Sequence, residues 1–264
     1  MDALAPSRNS LALMYHALSV DGSVDAGQDP HYSLRSDEFN SHLQRCAAHG
    51  LAVSSARDWL AGPREPTALM SFDDGHNSNF ELAFPLLQAR RATADFFVNT
   101  VNVGRPGYAS WQQLREMADA GQSIQSHSHE HRYLTSLSRI ELGEQLIRSR
   151  EMIEDAIGHP VTLLAPPGGR MPSGLAAVAR ECGYRHILSS RPGRIDSAVA
   201  TIFPRMAVTA SLDAATFDAW LRGDVTTFAK ARLRYAALAA MKRLFGDSGY
   251  ERLRRRFIGG LSEG

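Results

Sequence analysis

The stretch that decides the fold is Ala68-Leu69-Met70-Ser71-Phe72-Asp73-Asp74-Gly75-His76. Its first five residues form a short, nearly continuous apolar run, which is typical of a buried strand. The run ends at two adjacent carboxylates, and a buried carboxylate is costly unless it has a partner or a metal ion. Gly75 lets the backbone turn sharply just after the strand, so that Asp73 and Asp74 can point toward one place.

A second polar cluster, Ser126-His127-Ser128-His129-Glu130-His131, follows the short segment Ser123-Ile124-Gln125. His127 and His131 are four residues apart, which places them on one face whether the segment is helical or extended. Two imidazoles and one carboxylate leave coordination positions open, as in a catalytic metal site. Zinc fits these ligands, and nickel, cobalt and manganese remain alternatives. The residues therefore indicate a divalent cation and a hydrolytic reaction, with the second carboxylate free to accept a proton.

Strand-like and helix-like segments alternate along most of the chain. The patterns predict strands at 11–15, 51–53, 68–72, 93–98, 123–126, 161–164 and 185–189, an extended piece at 201–208, and helices at 37–49, 55–61, 79–90, 111–120, 138–157, 173–182 and 213–221. Residues 19–36 read as an irregular loop, and Ser36 is the expected N-cap of the first helix. This alternation predicts an α/β fold with a parallel sheet. The polar residues fall just after strands, where parallel α/β barrels place their sites.

Composition and charge narrow the class of protein. The chain has 264 residues, 44% of them hydrophobic and 22% charged, with a net charge of +1, which is ordinary for a globular protein. Cys46 and Cys182 have no metal-type spacing and are expected to be reduced core thiols. The first nine residues lack the charged start and apolar core of a signal peptide, which predicts a cytoplasmic location.

The charge is unevenly distributed. Residues 224–264 hold nine lysines and arginines and four acids, a net charge of +5. We predict two amphipathic helices there, at 226–245 and 249–258, forming a basic extension distinct from a domain at 1–223. A helical appendage packed on the domain or on a second subunit is one interpretation, and peripheral contact with anionic lipid at the inner face of the membrane is another. Nucleic acid is not expected as a partner, because no binding motif accompanies the charge.

Three short motifs together resemble the polysaccharide deacetylase family, also known as the NodB-homology domain or carbohydrate esterase family 4. The motifs are Ser-Phe-Asp-Asp-Gly at 71–75, His-Ser-His-Glu-His at 127–131 and Pro-Pro-Gly-Gly at 166–169. The resemblance covers roughly residues 11–210. It implies a distorted, incomplete (β/α) barrel and a metal-dependent hydrolase that removes acetyl groups from N-acetylated sugars. By position, Asp73 would be the general base that activates a metal-bound water, and Asp74, His127 and His131 would bind the metal.

The third motif would supply part of an oxyanion site. Pro166 and Pro167 have no N–H, so Gly168 is the first backbone donor in that turn. Tyr108, Trp111 and Met171 could line a groove for the sugar, and core packing is an equal alternative for Trp111. We interpret His76 as a residue at the rim of the site. His129 is expected either at the surface or behind the metal ligands, where it would contact them and not the metal.

The chain departs from the family pattern in two places. Ala165 stands where many members have an arginine that orients the base, and no Leu-x-His motif follows near the C-terminus. However, Leu13-Met14-Tyr15-His16 resembles the start of the poly-N-acetylglucosamine deacetylases of exopolysaccharide biosynthesis. In that branch the N-terminal strand supplies the acid, which makes His16 the expected general acid.

The resemblance implies an N-acetylated saccharide as substrate, for which a lipid-linked or nucleotide-linked intermediate of surface polysaccharide assembly is one hypothesis. An O-acetyl esterase, or a deformylase or amidase, on the same scaffold is an alternative. A catalytically silent saccharide-binding module is another, motivated by the alanine at position 165.

Overall fold

The computed structural model describes residues 10–25, 27–62 and 65–240. Its strands are β1 Leu11–Tyr15, β2 Leu18–Ser19, β3 Leu34–Arg35, β4 Ala52–Ser54, β5 Thr67–Phe72, β6 Asp95–Val98, β7 Ser123–Ser126, β8 Leu163–Leu164, β9 His186–Leu188, β10 Ile202–Phe203 and β11 Arg205–Ala207. Its α-helices are α1 Ser36–Ala48, α2 Ala56–Ala61, α3 Phe84–Gln88, α4 Trp111–Asp119, α5 Arg139–Ile157, α6 Leu175–Glu181 and α7 Ala214–Arg222. Residues 225–240 are also helical.

The main sheet is parallel and curls almost into a barrel. Its strand order is β10-β9-β8-β7-β6-β5-β1-β11, with β4 paired to the first half of β5. The strands at the two ends of this order, β10 and β11, are separated in the chain by Pro204 alone, and this brings the ends of the sheet back together. The prediction of a distorted, incomplete (β/α) barrel is confirmed.

Burial on both faces explains the apolar character of the central strands. All five residues of β1 and all six of β5 are buried, as expected for strands covered by helices on one side and by the barrel interior on the other. Tyr15, Phe72 and Phe96 stack in a row on one face, with ring centroids 5.3 and 5.1 Å apart. Ala12 and Leu69 belong to a separate cluster on the opposite face, since successive side chains of a strand alternate.

The element boundaries differ from the predicted ones in three informative places. The N-cap of α1 is Arg35, not Ser36. The predicted helix at 79–90 begins as a π-helical turn, Asn79–Ala83, before α3. The predicted irregular loop at 19–36 contains β3, which pairs with β2 in a small parallel sheet.

The C-terminal extension is described only in part. Residues 225–240 form the described portion of the first predicted helix, whereas the second predicted helix, 249–258, lies outside the described residues. Among the residues that the structure describes, no helix is both long enough and apolar enough to cross a membrane.

Candidate metal centre and active site

Three side chains converge where β5 and β7 end. Asp74 Oδ1 lies 3.1 Å from His131 Nε2 and 3.4 Å from His127 Nε2. One ligand atom from each of the three residues falls within 4.8 Å of the others. The sheet brings these loops together because β6 lies between β5 and β7 and all three strands run in the same direction.

Both loops depend on an uncommon backbone conformation. Asp74, Ser128 and His131 have φ of 76°, 67° and 56°, and Arg91 is the only other non-glycine residue in the described ranges with positive φ. Few non-glycine residues adopt this conformation, and those that do cluster at functional sites. Two of the three strained residues here are members of the converging set. The backbone therefore aims their side chains at one point.

The donor set fits a divalent cation. His127 Nδ1 lies 2.7 Å from the Ala165 carbonyl oxygen, which can only accept, so Nδ1 donates and Nε2 is the ring nitrogen that faces Asp74. Nε2 is therefore the atom that can bind a cation. This arrangement, in which a carbonyl behind the histidine fixes its tautomer, is typical of histidines that ligate metals. Two imidazole nitrogens and one carboxylate oxygen suit zinc and similar ions.

The other aspartate is held by a different partner. Asp73 is 2% exposed, and its two oxygens accept hydrogen bonds of 2.7 and 2.8 Å from the two terminal nitrogens of Arg205. Burial acts to raise the pKa of Asp73, but Arg205, His127 and His16 together outweigh it, and the pKa lies below its usual value. Asp73 is therefore an anion beside the ligand set and is oriented by a planar fork.

Arg205 is completely buried and makes further contacts. Its guanidinium donates to Ser71 Oγ at 3.1 Å and to the Ser189 carbonyl at 3.3 Å. It also lies over the ring of Phe97, 5.4 Å from the centroid. These contacts hold the guanidinium in place, and its two bonds to Asp73 orient that carboxylate.

His16 lies at the end of β1, close enough to the two aspartates to feel their charge. Burial lowers the pKa of His16, and the negative charges of Asp74 and Asp73 only partly oppose this effect. The ring stacks on Tyr32 with centroids 4.4 Å apart. Its Nδ1 is buried without a hydrogen-bond partner among the described residues.

His76 is not the rim residue that we expected. It is 1% exposed, its Nε2 lies 3.5 Å from Asp74 Oδ2, and its ring stacks on Tyr108 with centroids 5.2 Å apart. An antiparallel bridge between His76 and Tyr108 locks the two loops together. His76 thus contacts the outer oxygen of Asp74 and leaves Oδ1 facing His127 and His131.

Tyr108 lies beside the site but is only half-buried. Burial raises the pKa of its phenol, and the negative charge of Asp74 adds to the effect. His129, expected to lie at the surface or behind the ligands, is buried, and its Nδ1 lies 2.6 Å from Thr100 Oγ1. The alternating pattern thus separates His129 from the two converging histidines.

The Pro167–Gly169 segment forms a tight 3₁₀ turn next to the histidine loop. Gly168 has φ of 59°, and a Cβ there would lie 2.5 Å from Tyr133 Cε1, so only glycine fits. Pro167 is buried, whereas Gly168 is exposed. The turn follows Ala165, whose carbonyl contacts His127. The turn is thus connected through Ala165 to one of the three converging residues.

Comparison with known proteins identifies the scaffold. Residues 61–187, which contain both ligand loops and the glycine turn, match the family model "Polysaccharide deacetylase". This segment is a polysaccharide deacetylase domain. The predicted resemblance is confirmed.

The relatives of this deacetylase domain are distant. It is 26% identical to YxkH of Bacillus subtilis over 187 residues, covering 69% of this chain and 64% of YxkH. It is 29% identical to the peptidoglycan-N-acetylglucosamine deacetylase of Bacillus cereus over 133 residues, which is 50% of this chain and 60% of that enzyme. The matches therefore span less than two thirds of either relative. The structure of IcaB from Ammonifex degensii has a TM-score of 0.68 at 23% identity, covering 82% of this chain and 98% of IcaB, and shares the fold.

Two residues of the site lie outside the segment that matches the family model. His16 precedes it and Arg205 follows it, and Arg205 belongs to none of the three motifs. A signal was present, because Ile202-Phe203-Pro204-Arg205-Met206-Ala207-Val208 places one charge within an apolar, strand-like run. A charge in such a position needs a buried partner. Arg205 thus supplies the guanidinium that the alanine at position 165 lacks.

Proposed function

We propose that this deacetylase domain removes the acetyl group from an N-acetylated sugar of a surface polysaccharide or exopolysaccharide, using a divalent cation held by Asp74, His127 and His131. The observation that carries the proposal is that the two adjacent aspartates have different partners. Asp74 faces two histidine nitrogens, whereas Asp73 faces Arg205 and lies outside the ligand set. One carboxylate can bind a cation while the other remains available to accept a proton.

When bound, a zinc-like cation would polarise the acetyl carbonyl and lower the pKa of a water molecule. Asp73, held in one orientation by Arg205, accepts the proton of the attacking water. The N–H of Gly168, the first backbone donor of the Pro-Pro-Gly-Gly turn, would stabilise the negative charge that develops on the carbonyl oxygen. Tyr108, half-buried beside Asp74, would contact the sugar.

The departing amine must be protonated, and His16 is our candidate for that step. Burial lowers the pKa of His16, which favours a neutral ring in the free protein. The ring must then gain a proton before it can act as the acid, and we propose that this is the proton that Asp73 has accepted from the water. Proton uptake and proton donation would then share one path across the cleft.

The silent-module alternative loses its main support, because it depended on the absence of an arginine beside the base, and Arg205 fills that role. The match to the family model and the N-acetylglucosamine deacetylase among the relatives favour N-deacetylation. The TM-score of 0.68 to IcaB supports only the common fold. The poly-N-acetylglucosamine branch therefore depends on the Tyr15-His16 resemblance, and zinc on the ligand types.

The test uses the full chain loaded with zinc, chito-oligosaccharides and an O-acetylated sugar. Free amine and free acetate are measured separately, since only N-deacetylation releases both. Asp73→Asn should abolish amine release but retain zinc binding by isothermal titration calorimetry, whereas His131→Ala should lose both. Asp119→Asn, at the exposed end of α4, is the matched control and should retain both. Acetate without amine would identify an esterase, and zinc binding without either product would refute the enzymatic proposal.

A further inference from the structure

The helix at residues 225–240 presents an exposed face that the proposed function does not use. Its inner side is docked on the barrel. Phe228 is buried, Ala231 packs against the main hydrophobic core, and Arg194 lies over the Phe228 ring at 5.8 Å. Arg232 Nε donates to the Pro192 carbonyl at 3.3 Å. The rotation of the helix about its axis is therefore fixed, and so is the side that it turns outward.

That outward side is apolar. An α-helix has 3.6 residues per turn, so the positions of the residues around the axis can be assigned. Apart from a threonine, the sector of about 120° opposite Phe228 and Ala231 contains six residues. They are Val225, Ala229, Leu233, Ala236, Ala237 and Ala240, and all six are exposed. We call this set the outer face. Val225 and Leu233 are 78% and 73% exposed, so its two largest side chains have no cover within the described chain.

Cations flank the outer face on both sides. Arg232 lies along one edge, and Lys230 and Arg234 lie along the other, one turn apart. All three are exposed, and residues 225–240 contain no aspartate or glutamate. Residues 241–264, outside the described part, add six lysines and arginines against three acids. An apolar stripe with cations along both edges is the pattern of a helix that lies in the interface of a membrane.

We propose that the outer face binds the surface of a membrane containing anionic phospholipid. Charge complementarity favours this occupant over a second copy of the chain. Pairing two outer faces would bring cations together with no acid on either helix to neutralise them, whereas anionic headgroups would pair with all three. The apolar contribution is modest, because four of the six residues are alanine. Binding should therefore need both the apolar stripe and the charges, and it should weaken with added salt.

The test is co-sedimentation of the full chain with vesicles of phosphatidylcholine alone, or mixed with phosphatidylglycerol in a ratio of about 2:1. We expect binding only to the anionic vesicles, and its loss at high salt. Each cation near an anionic surface contributes roughly fivefold in partitioning. Lys230→Glu combined with Arg234→Glu should therefore lower binding at least tenfold, and Leu233→Asp should lower it severalfold.

The matched control is Ile140→Asp in α5. Ile140 is 76% exposed, so the control adds the same charge to an equally exposed apolar position elsewhere on the barrel, and it should leave vesicle binding unchanged. Circular dichroism checks that every variant is folded. An equal loss of binding in Ile140→Asp and Leu233→Asp would overturn the proposal. So would binding that survives in both outer-face variants. A dimer that Leu233→Asp dissociates, with no vesicle binding, would show instead that the outer face joins two copies of the chain.

Discussion

Replacing Arg205 by methionine tests the central feature of the site. Methionine is of similar length and can occupy the buried space, but it removes all four hydrogen bonds that Arg205 makes to Asp73, Ser71 and Ser189. The buried carboxylate of Asp73, which is 2% exposed, would then have no counter-ion. Removing one partner of a buried ion pair costs about 3–5 kcal/mol, because the remaining charge is left without compensation.

The magnitude can be assigned to the pair by a double-mutant cycle. Asp73→Asn alone leaves a buried guanidinium without its anion, whereas Asp73→Asn with Arg205→Met removes both charges. We expect the double variant to lose about 1–3 kcal/mol less than the sum of the two single losses, the usual size of coupling between residues in direct contact. Urea unfolding of the full chain measures all four free energies.

The catalytic consequence is measured separately with Arg205→Lys. Lysine keeps the charge but presents one ammonium, so it cannot bridge both oxygens of Asp73. Misalignment of the base should lower kcat by about 10–100-fold. KM should change little, because Arg205 is completely buried and acts on the substrate through Asp73.

Arg139→Met is the matched control. Arg139 pairs with Glu181 at 2.6 Å, but the two side chains are 64% and 61% exposed. Its loss should cost no more than about 1 kcal/mol, because exposed ion pairs contribute little, and activity should not change. The reasoning is refuted if Arg205→Met unfolds as easily as Arg139→Met, or if the two single losses add without coupling.

Three further predictions address other parts of the molecule. His16→Ala should slow N-deacetylation by about 10²–10⁴-fold. It should slow hydrolysis of an activated aryl acetate much less, since that leaving group needs no proton. If the two measured rates fall equally, His16 is not the acid. Burial raises the pKa of Asp95 to about 6, so the folded state binds more protons than the unfolded state. Stability should therefore fall by about 2 kcal/mol as the pH rises from 4 to 7. Urea unfolding of Asp95→Asn should lack this decline, and an unchanged pH profile would refute it. Gly75→Ala should destabilise the protein by about 2–3 kcal/mol, because Gly75 has φ of 75° and the new Cβ would lie 2.9 Å from Val98 Cγ1. Thermal unfolding should show a smaller loss of stability in a Val98→Ala background. An equal loss in both backgrounds would exclude the clash.

The sequence was most informative where the determining residues are close together in the chain. The order of strands and helices follows from local periodicity, and the structure reproduces it with shifts of a few residues. Asp74, His127 and His131 could be grouped because each belongs to a short motif directly after a strand. The sheet then places β5 and β7 on either side of β6, and this parallel arrangement was itself predictable from the alternating pattern.

Features that depend on tertiary context could not be predicted in the same way. The burial of His76 depends on Tyr108, which reaches it through an antiparallel bridge between two irregular loops. No periodicity indicates such a bridge. The positive φ of Asp74 and His131 is also invisible in the sequence, because neither residue type requires that conformation. The chemistry of the ligands was therefore more predictable than the backbone that aims them.

Arg205 shows why short sequence motifs do not reveal a site residue that is far from the others in the chain. It lies 132 residues from Asp73 in the chain and belongs to β11, the last strand of the barrel, which β1 separates from β5. From there its guanidinium contacts Ser71 and Asp73 in and just after β5, and the Ser189 carbonyl just after β9. One side chain thereby links both ends of the curled sheet to its centre. The orientation of the base and the closure of the barrel consequently depend on the same contacts. A variant that weakens the packing where the sheet ends, β10 and β11, meet should therefore lower catalytic activity even if it leaves every metal ligand in place.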